Sequence, residues 1–149
     1  VMEFTKVVAE RYSCKNFSTR KVEAEKLTEI LEAGRLAPTA KNFQEQRIYV
    51  LQSEESLAKL DKATPCRYGA PTCLVVAFDK NSVFTYPGGK RDSGVEDAAI
   101  DPDELAKELG LPENEEVLMI LDLGYAAEGS GPLANHGSRK PLSATVAYL

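Results

Sequence analysis

Leu74-Val75-Val76-Ala77-Phe78 is an unbroken apolar run, and its reading decides how the rest of the chain is arranged. Five residues with no polar interruption, two of them β-branched, fit a strand covered on both faces. Upstream, Arg47–Gln52 (Arg-Ile-Tyr-Val-Leu-Gln) is a second strand, rich in β-branched and aromatic residues. Between the two, Ser53 caps a short helix whose buried side is Leu57 and Leu60. Further upstream, Leu27, Ile30, Leu31 and Gly34 recur at i, i+3, i+4 and i+7. They lie between acidic Glu23–Glu25 and basic Arg35, a charge order that suits the helix dipole, and Pro38 stops this helix near Leu36. Gly34 costs about 1 kcal/mol against Ala inside a helix, which close helix packing would explain. Phe4, Val7, Val8 and Arg11–Tyr12 predict a first helix from Met2 to about Arg11.

Downstream of the central run, residues 81–94 turn to loop chemistry. Asp101-Pro102-Asp103-Glu104 then opens a helix with a capping Asp and Pro at its first position. Leu105 and Leu109 form its inner side, and Gly110 ends it in the left-handed conformation. Val117–Leu123 is the last strand, and after Gly124 the chain becomes an irregular tail. Helices and strands are interspersed with little βαβ alternation, so the expected fold is α+β, in a single domain over 1–149.

Composition excludes much. Net charge −5 argues against a nucleic-acid binder, which shows a basic face. The longest apolar runs are short of the roughly 20 residues that span a bilayer, and no secretory signal is legible, so a cytoplasmic location is expected. Cys14, Cys66 and Cys73 contain no C-x-x-C, and the single histidine, His136, leaves no metal site built on several imidazoles. No G-x-S-x-G, P-loop or G-x-G-x-x-G is present.

Polar residues gather instead beside helix ends. In Arg11-Tyr12-Ser13-Cys14-Lys15-Asn16-Phe17, alternation would point Arg11, Ser13 and Lys15 to one side of an extended segment, a cradle for a phosphate. Taken alone, a solvated basic turn is the commoner meaning of such a run. Ala37-Pro38-Thr39-Ala40-Lys41-Asn42 supplies small residues and hydrogen-bonding side chains, yet by itself is an ordinary turn after a helix. Ser138-Arg139-Lys140-Pro141-Leu142 adds two cations near the carboxyl end.

In their order, these segments resemble the FMN-dependent nitroreductase family. The Arg-x-Ser-x-Arg/Lys-x-Phe run is Arg11–Phe17, and the Ala-Pro-Ser/Thr-x-x-Asn turn is Ala37–Asn42. Ala70-Pro71 precedes the apolar strand Leu74–Phe78, Asp101–Pro112 and Val117–Tyr125 match a helix and then a strand closing in Gly-Tyr, and Arg139–Leu142 ends the set. The resemblance implies a nitroreductase-like sheet flanked by helices, with the tail wrapping a partner subunit. It implies that Arg11, Arg139 and Lys140 hold the FMN phosphate, that Tyr12, Ser13 and Lys15 lie along the flavin, and that Pro38, Thr39, Ala40 and Asn42 reach the site from the other subunit of a homodimer. The implied activity is NAD(P)H-driven, ping-pong reduction of nitroaromatics, quinones or similar small electron-poor acceptors. No proton-transfer side chain is nominated; Cys66, Tyr68 and Tyr86 are weaker candidates on the substrate side, and Cys14 is expected to be a buried small residue.

One departure bears on this. Family members carry an apolar helix, a Gly-rich turn and a strand between the equivalents of Ile100 and Asp101, roughly 20 residues by ordinary element lengths. Both flanks here fit the family, so the expectation is that a stretch is omitted; a genuine deletion would favour a non-catalytic flavin-binding protein. Related flavin chemistry, such as reductive dehalogenation or flavin breakdown, is a third reading.

Overall fold

The computed structural model describes residues 3–85 and 102–147. Helix α1 (Phe4–Glu10) leads through an extended segment to α2 (Ala24–Arg35), then strand β1 (Gln46–Leu51), helix α3 (Glu54–Ala63) and strand β2 (Thr72–Asp79). Helix α4 (Pro102–Leu109), strand β3 (Glu115–Leu123) and a 3-10 turn at Leu142–Ala144 complete the order. Asp101, Tyr86 and most of the 81–94 loop lie outside the described residues. No described helix is long and apolar enough to cross a membrane.

The three described strands form one antiparallel sheet, β1-β2-β3, with β2 in the middle. The central apolar run sits there because only the middle strand has a hydrogen-bonded neighbour on both edges and can be covered on both faces. Register places Tyr49, Val75 and Ile120 in one row, and Leu51, Cys73 and Asp122 in another. This face packs against α3 and α4 through Leu60 and Leu105, and with Val117 it makes the core. Ser53 caps α3 as expected, its hydroxyl accepting from the Ser56 N–H at 3.1 Å. Gly110 closes α4 at φ 69°. Its N–H donates to the Lys107 carbonyl and that of Leu111 to the Ala106 carbonyl, a pair of bonds that satisfies the last carbonyls of the helix. At the rim, Tyr49 donates to Glu115; burial and that bond push the phenol up to about 12.

The opposite face carries Ile48, Val50, Leu74, Val76, Met119 and Leu121, and α2 covers it only in part. A half-open groove of about 310 Å³ remains between Ile30, Leu31 and Gly34 of α2 and Ile48, Val76 and Leu121 of the sheet. Gly34 departs from its expectation of close packing. A β-carbon there would lie 3.7 Å from Ile48 Cδ1, an ordinary contact, so nothing in the described residues requires a bare backbone. Gly34→Ala is therefore expected to stabilise the chain by about 0.5–1 kcal/mol through helix propensity, read as a higher thermal midpoint at fixed protein concentration.

Candidate functional site

The two ends of the chain meet at one joint. Phe17 makes an isolated bridge with Ala126, the Ser18 N–H donates to the Tyr125 carbonyl at 2.7 Å, and the Ala127 N–H donates to the Asn16 carbonyl at 3.0 Å. Gly124 is the pivot: a β-carbon there would fall 2.9 Å from Phe17 Cδ1 and 3.0 Å from Pro71 Cδ. Tyr125 then ties the tail to the start of α2. Its hydroxyl donates to Glu23 at 2.5 Å, and the Arg20 guanidinium lies 4.1 Å from its ring centre. The tyrosine hydroxyl, with Arg20, holds the Glu23 carboxyl down to about 2. The tail up to Arg139 thus lies on its own chain, although its sequence has no periodicity from which that could be read.

Past this joint, the turn 133–139 comes beside the segment that follows α1. Arg11, Ser13, Leu133, Asn135, His136 and Arg139 line a polar cleft of about 230 Å³. The turn is held by the His136 N–H on the Leu133 carbonyl at 2.8 Å, and by Arg139 donating to the carbonyls of His136 and Ser138 at 2.5 and 2.7 Å. Tyr12 sets its ring edge-on to His136, with centroids 6.4 Å apart. No lining residue is acidic, and neither Arg11 nor Arg139 makes an ion pair among the described residues. Two guanidiniums, a hydroxyl and an amide without a carboxylate form a donor set that fits a phosphate monoester.

Lys15 departs from the expected alternation. Arg11 and Ser13 share the cleft, but Lys15 does not line it; its ammonium donates to the Tyr68 hydroxyl at 2.8 Å and lies 4.1 Å from that ring's centre. The cause is the bridge at Phe17, whose N–H donates to the Tyr68 carbonyl and so sets residue 15 against the loop before β2. Tyr68 sits at φ 51°, a strained conformation of the kind that gathers at functional sites. Lys140 is exposed and outside the cleft lining. His136 and Asn135 are cleft residues that sequence reasoning did not nominate, since the tail that carries them has no period to read.

The Tyr68 hydroxyl draws the exposed Cys66 thiol down, with help from Thr64 and the Lys15 charge. Burial pushes the Cys73 thiol up, and it donates to Asp122 at 3.2 Å. Cys14 is half-buried, not fully buried as expected, with its thiol 3.2 Å from the Asn16 carbonyl. An aromatic disulfide reagent is therefore expected to label Cys66 first and Cys73 only on unfolding, since the thiolate is the nucleophile; mass mapping of the labelled peptides checks the order.

Thr39, Ala40 and Asn42 form a tight turn beyond α2, with Lys41, Asn42 and Gln44 all at positive φ, between 51° and 59°. The Thr39 hydroxyl accepts from the Gln44 N–H at 3.0 Å. Pro38 is exposed, and Thr39 lines the apolar groove. Pro38, Thr39 and Asn42 do not line the cleft with Arg11 and Arg139.

Comparison with known proteins follows the same pattern. The family model described as nitroreductase family matches residues 8–68, which hold the Arg11–Phe17 run and the turn after α2. A solved nitroreductase family protein from Clostridium difficile 630 is 34% identical with a TM-score of 0.88, over 99% of this chain and 98% of its own. A structure named as a nitroreductase in complex with FMN, from Exiguobacterium sibiricum 255-15, is 18% identical with a TM-score of 0.80, over 100% and 98%. One named as an NAD(P)H:FMN oxidoreductase, from Staphylococcus epidermidis ATCC 12228, is 16% identical with a TM-score of 0.81, over 100% and 97%. No curated protein matches the chain. The junction between Ile100 and Asp101, where a stretch is expected to be omitted, lies outside the described residues.

Proposed function

The chain belongs to the nitroreductase family, and from that premise we propose that it is an FMN-dependent oxidoreductase passing electrons from NAD(P)H to electron-poor acceptors such as nitroaromatics or quinones. The observation that carries this reading is the acid-free cleft in which Arg11 from the amino-terminal segment meets Arg139 from the tail. A flavin phosphate carries close to two negative charges, and paired guanidiniums match its oxygens in geometry as well as charge.

FMN, when bound, supplies two-electron acceptance and delivery, the chemistry no side chain can perform. The chain's part is to hold and orient. Arg11, Ser13 and Arg139 would grip the phosphate, with Tyr12 beside them and Lys140 near the same end. Lys15, steadied by Tyr68, would place a fixed positive charge along the flavin where negative charge arrives.

Pro38, Thr39, Ala40 and Asn42 would complete the site from a second copy, making the active form a homodimer with two shared sites. Support comes from the face that includes the groove: Val50, Met119 and Leu121 are 40%, 36% and 44% exposed there, an apolar concentration of the kind that marks an association surface.

The experiment is to load the purified chain with FMN and add NADH or NADPH under argon. Bleaching of the yellow band within seconds, followed by recovery on adding a quinone, is the expected result. Colour without bleaching would leave the non-catalytic flavin binder, and failure to take up FMN would overturn both.

A further inference from the structure

The chain has one histidine, and the fold places it in the lining of the cleft that Arg11 and Arg139 also line. His136 is half-buried, and its backbone is held on both sides by the turn. Its two ring nitrogens have no hydrogen-bond partner among the described residues, although the ring lies in a polar cavity. On its own turn it is accompanied by Leu133, Asn135 and Arg139; from the segment after α1, Arg11, Tyr12 and Ser13 face it. No carboxylate is among them.

We propose that His136 is a third, proton-dependent arm of this cleft, closing on a doubly charged oxyanion when its imidazole is protonated. The electrostatics have a definite sign. Arg11 and Arg139 bring two positive charges to the cleft, and a dianion between them neutralises both. An imidazolium then gains attraction and a charge-assisted bond from the anion. By linkage, what favours the cation when the anion is bound must tighten the anion when the cation is present. Imidazole changes charge within the physiological range, so the grip on a phosphate-bearing ligand would strengthen as the medium becomes mildly acidic. The proposal rests on reading the cleft as a phosphate site; it does not rest on any reductase step.

Because His136 is the only histidine, the proton on its ring carbon Cε1 gives an NMR signal with no other histidine to confuse it, and the test uses that signal on the ligand-free full chain. Inorganic sulfate is the first probe, since its charge is constant across the range in which imidazole titrates. Saturating sulfate is expected to move the titration midpoint of the ring to higher pH by about one, corresponding to roughly tenfold tighter sulfate binding to the protonated form. FMN should move it in the same direction and riboflavin, which lacks the phosphate, should leave it in place. His136→Gln should bind sulfate about tenfold more weakly than the wild type on the acid side and equally on the alkaline side.

A midpoint unmoved by sulfate and FMN, in a chain that binds FMN, would overturn this role for His136 while leaving the flavin reading standing. Movement with riboflavin but not sulfate would also overturn it, since the ring would then be sensing the flavin instead of the oxyanion. Binding of neither sulfate nor FMN would overturn the phosphate cleft itself.

Discussion

Arg11→Ala is expected to weaken FMN binding by about thirtyfold while leaving riboflavin binding unchanged. A hydrogen bond to a charged group contributes about 1.5–3 kcal/mol, and that range spans roughly a tenfold to hundredfold change in affinity. Arg11 is the cleaner of the two guanidiniums to remove. Arg139 also clamps its own turn through the carbonyls of His136 and Ser138, so its loss would mix ligand binding with local unfolding. The double substitution should cost less than the sum of the singles, because both side chains serve one cleft. Quenching of flavin fluorescence in equilibrium titrations measures each affinity. A variant that keeps its full FMN affinity would remove Arg11 from the phosphate site.

Leu60→Ala should lower stability by about 3 kcal/mol. Leu60 is fully buried where α3 meets the sheet, in one cluster with Leu51, Val75, Leu105 and Val117, and neighbours relax only in part into the void that truncation leaves. Urea unfolding at fixed protein concentration should show the midpoint falling with the slope unchanged. Met119→Ala provides the contrast. Met119 is 36% exposed on the opposite face, so in a dissociated chain it should cost less than about 1 kcal/mol, the usual scale for a side chain far from full burial. If a second copy covers that face, Met119→Ala should instead weaken association, and its cost will depend on concentration. A Leu60 variant as stable as wild type would contradict the core placement.

Much of the fold was legible because local rules and tertiary packing agree. Ser53 before Glu54, with Leu57 and Leu60 behind it, describes the start and inner side of α3 without reference to any other segment. Gly110 after Leu109 announces the end of α4 in the same way. Leu74–Phe78 could be read as a strand covered on both faces because five successive apolar residues leave no side to face water; its place in the middle of the sheet came from the structure. The candidate site was less legible. The Arg11–Phe17 run pointed to a cradle, but alternation describes an isolated extended strand, and the bridge from Phe17 to Ala126 sets Lys15 against Tyr68. His136 and Asn135 lay in a tail with no period to read, and their meaning depends on neighbours more than a hundred residues away.

Element type, the capping of α3 and α4 and the apolar content of β2 were determined by the sequence itself, since each depends on residues within a few positions of one another. The family resemblance implies that Arg11, Arg139 and Lys140 converge, but that Arg11 and Arg139 share a cleft and Lys140 does not line it is shown only by the tertiary structure. Gly124, packed against Phe17 and Pro71, allows the tail to close on the amino-terminal segment, and without that approach Arg11 and Arg139 would be two solvated cations at opposite ends of a chain. Local spacing encodes torsions and faces; the meeting of distant side chains depends on how the whole backbone closes, and no short window of sequence contains that.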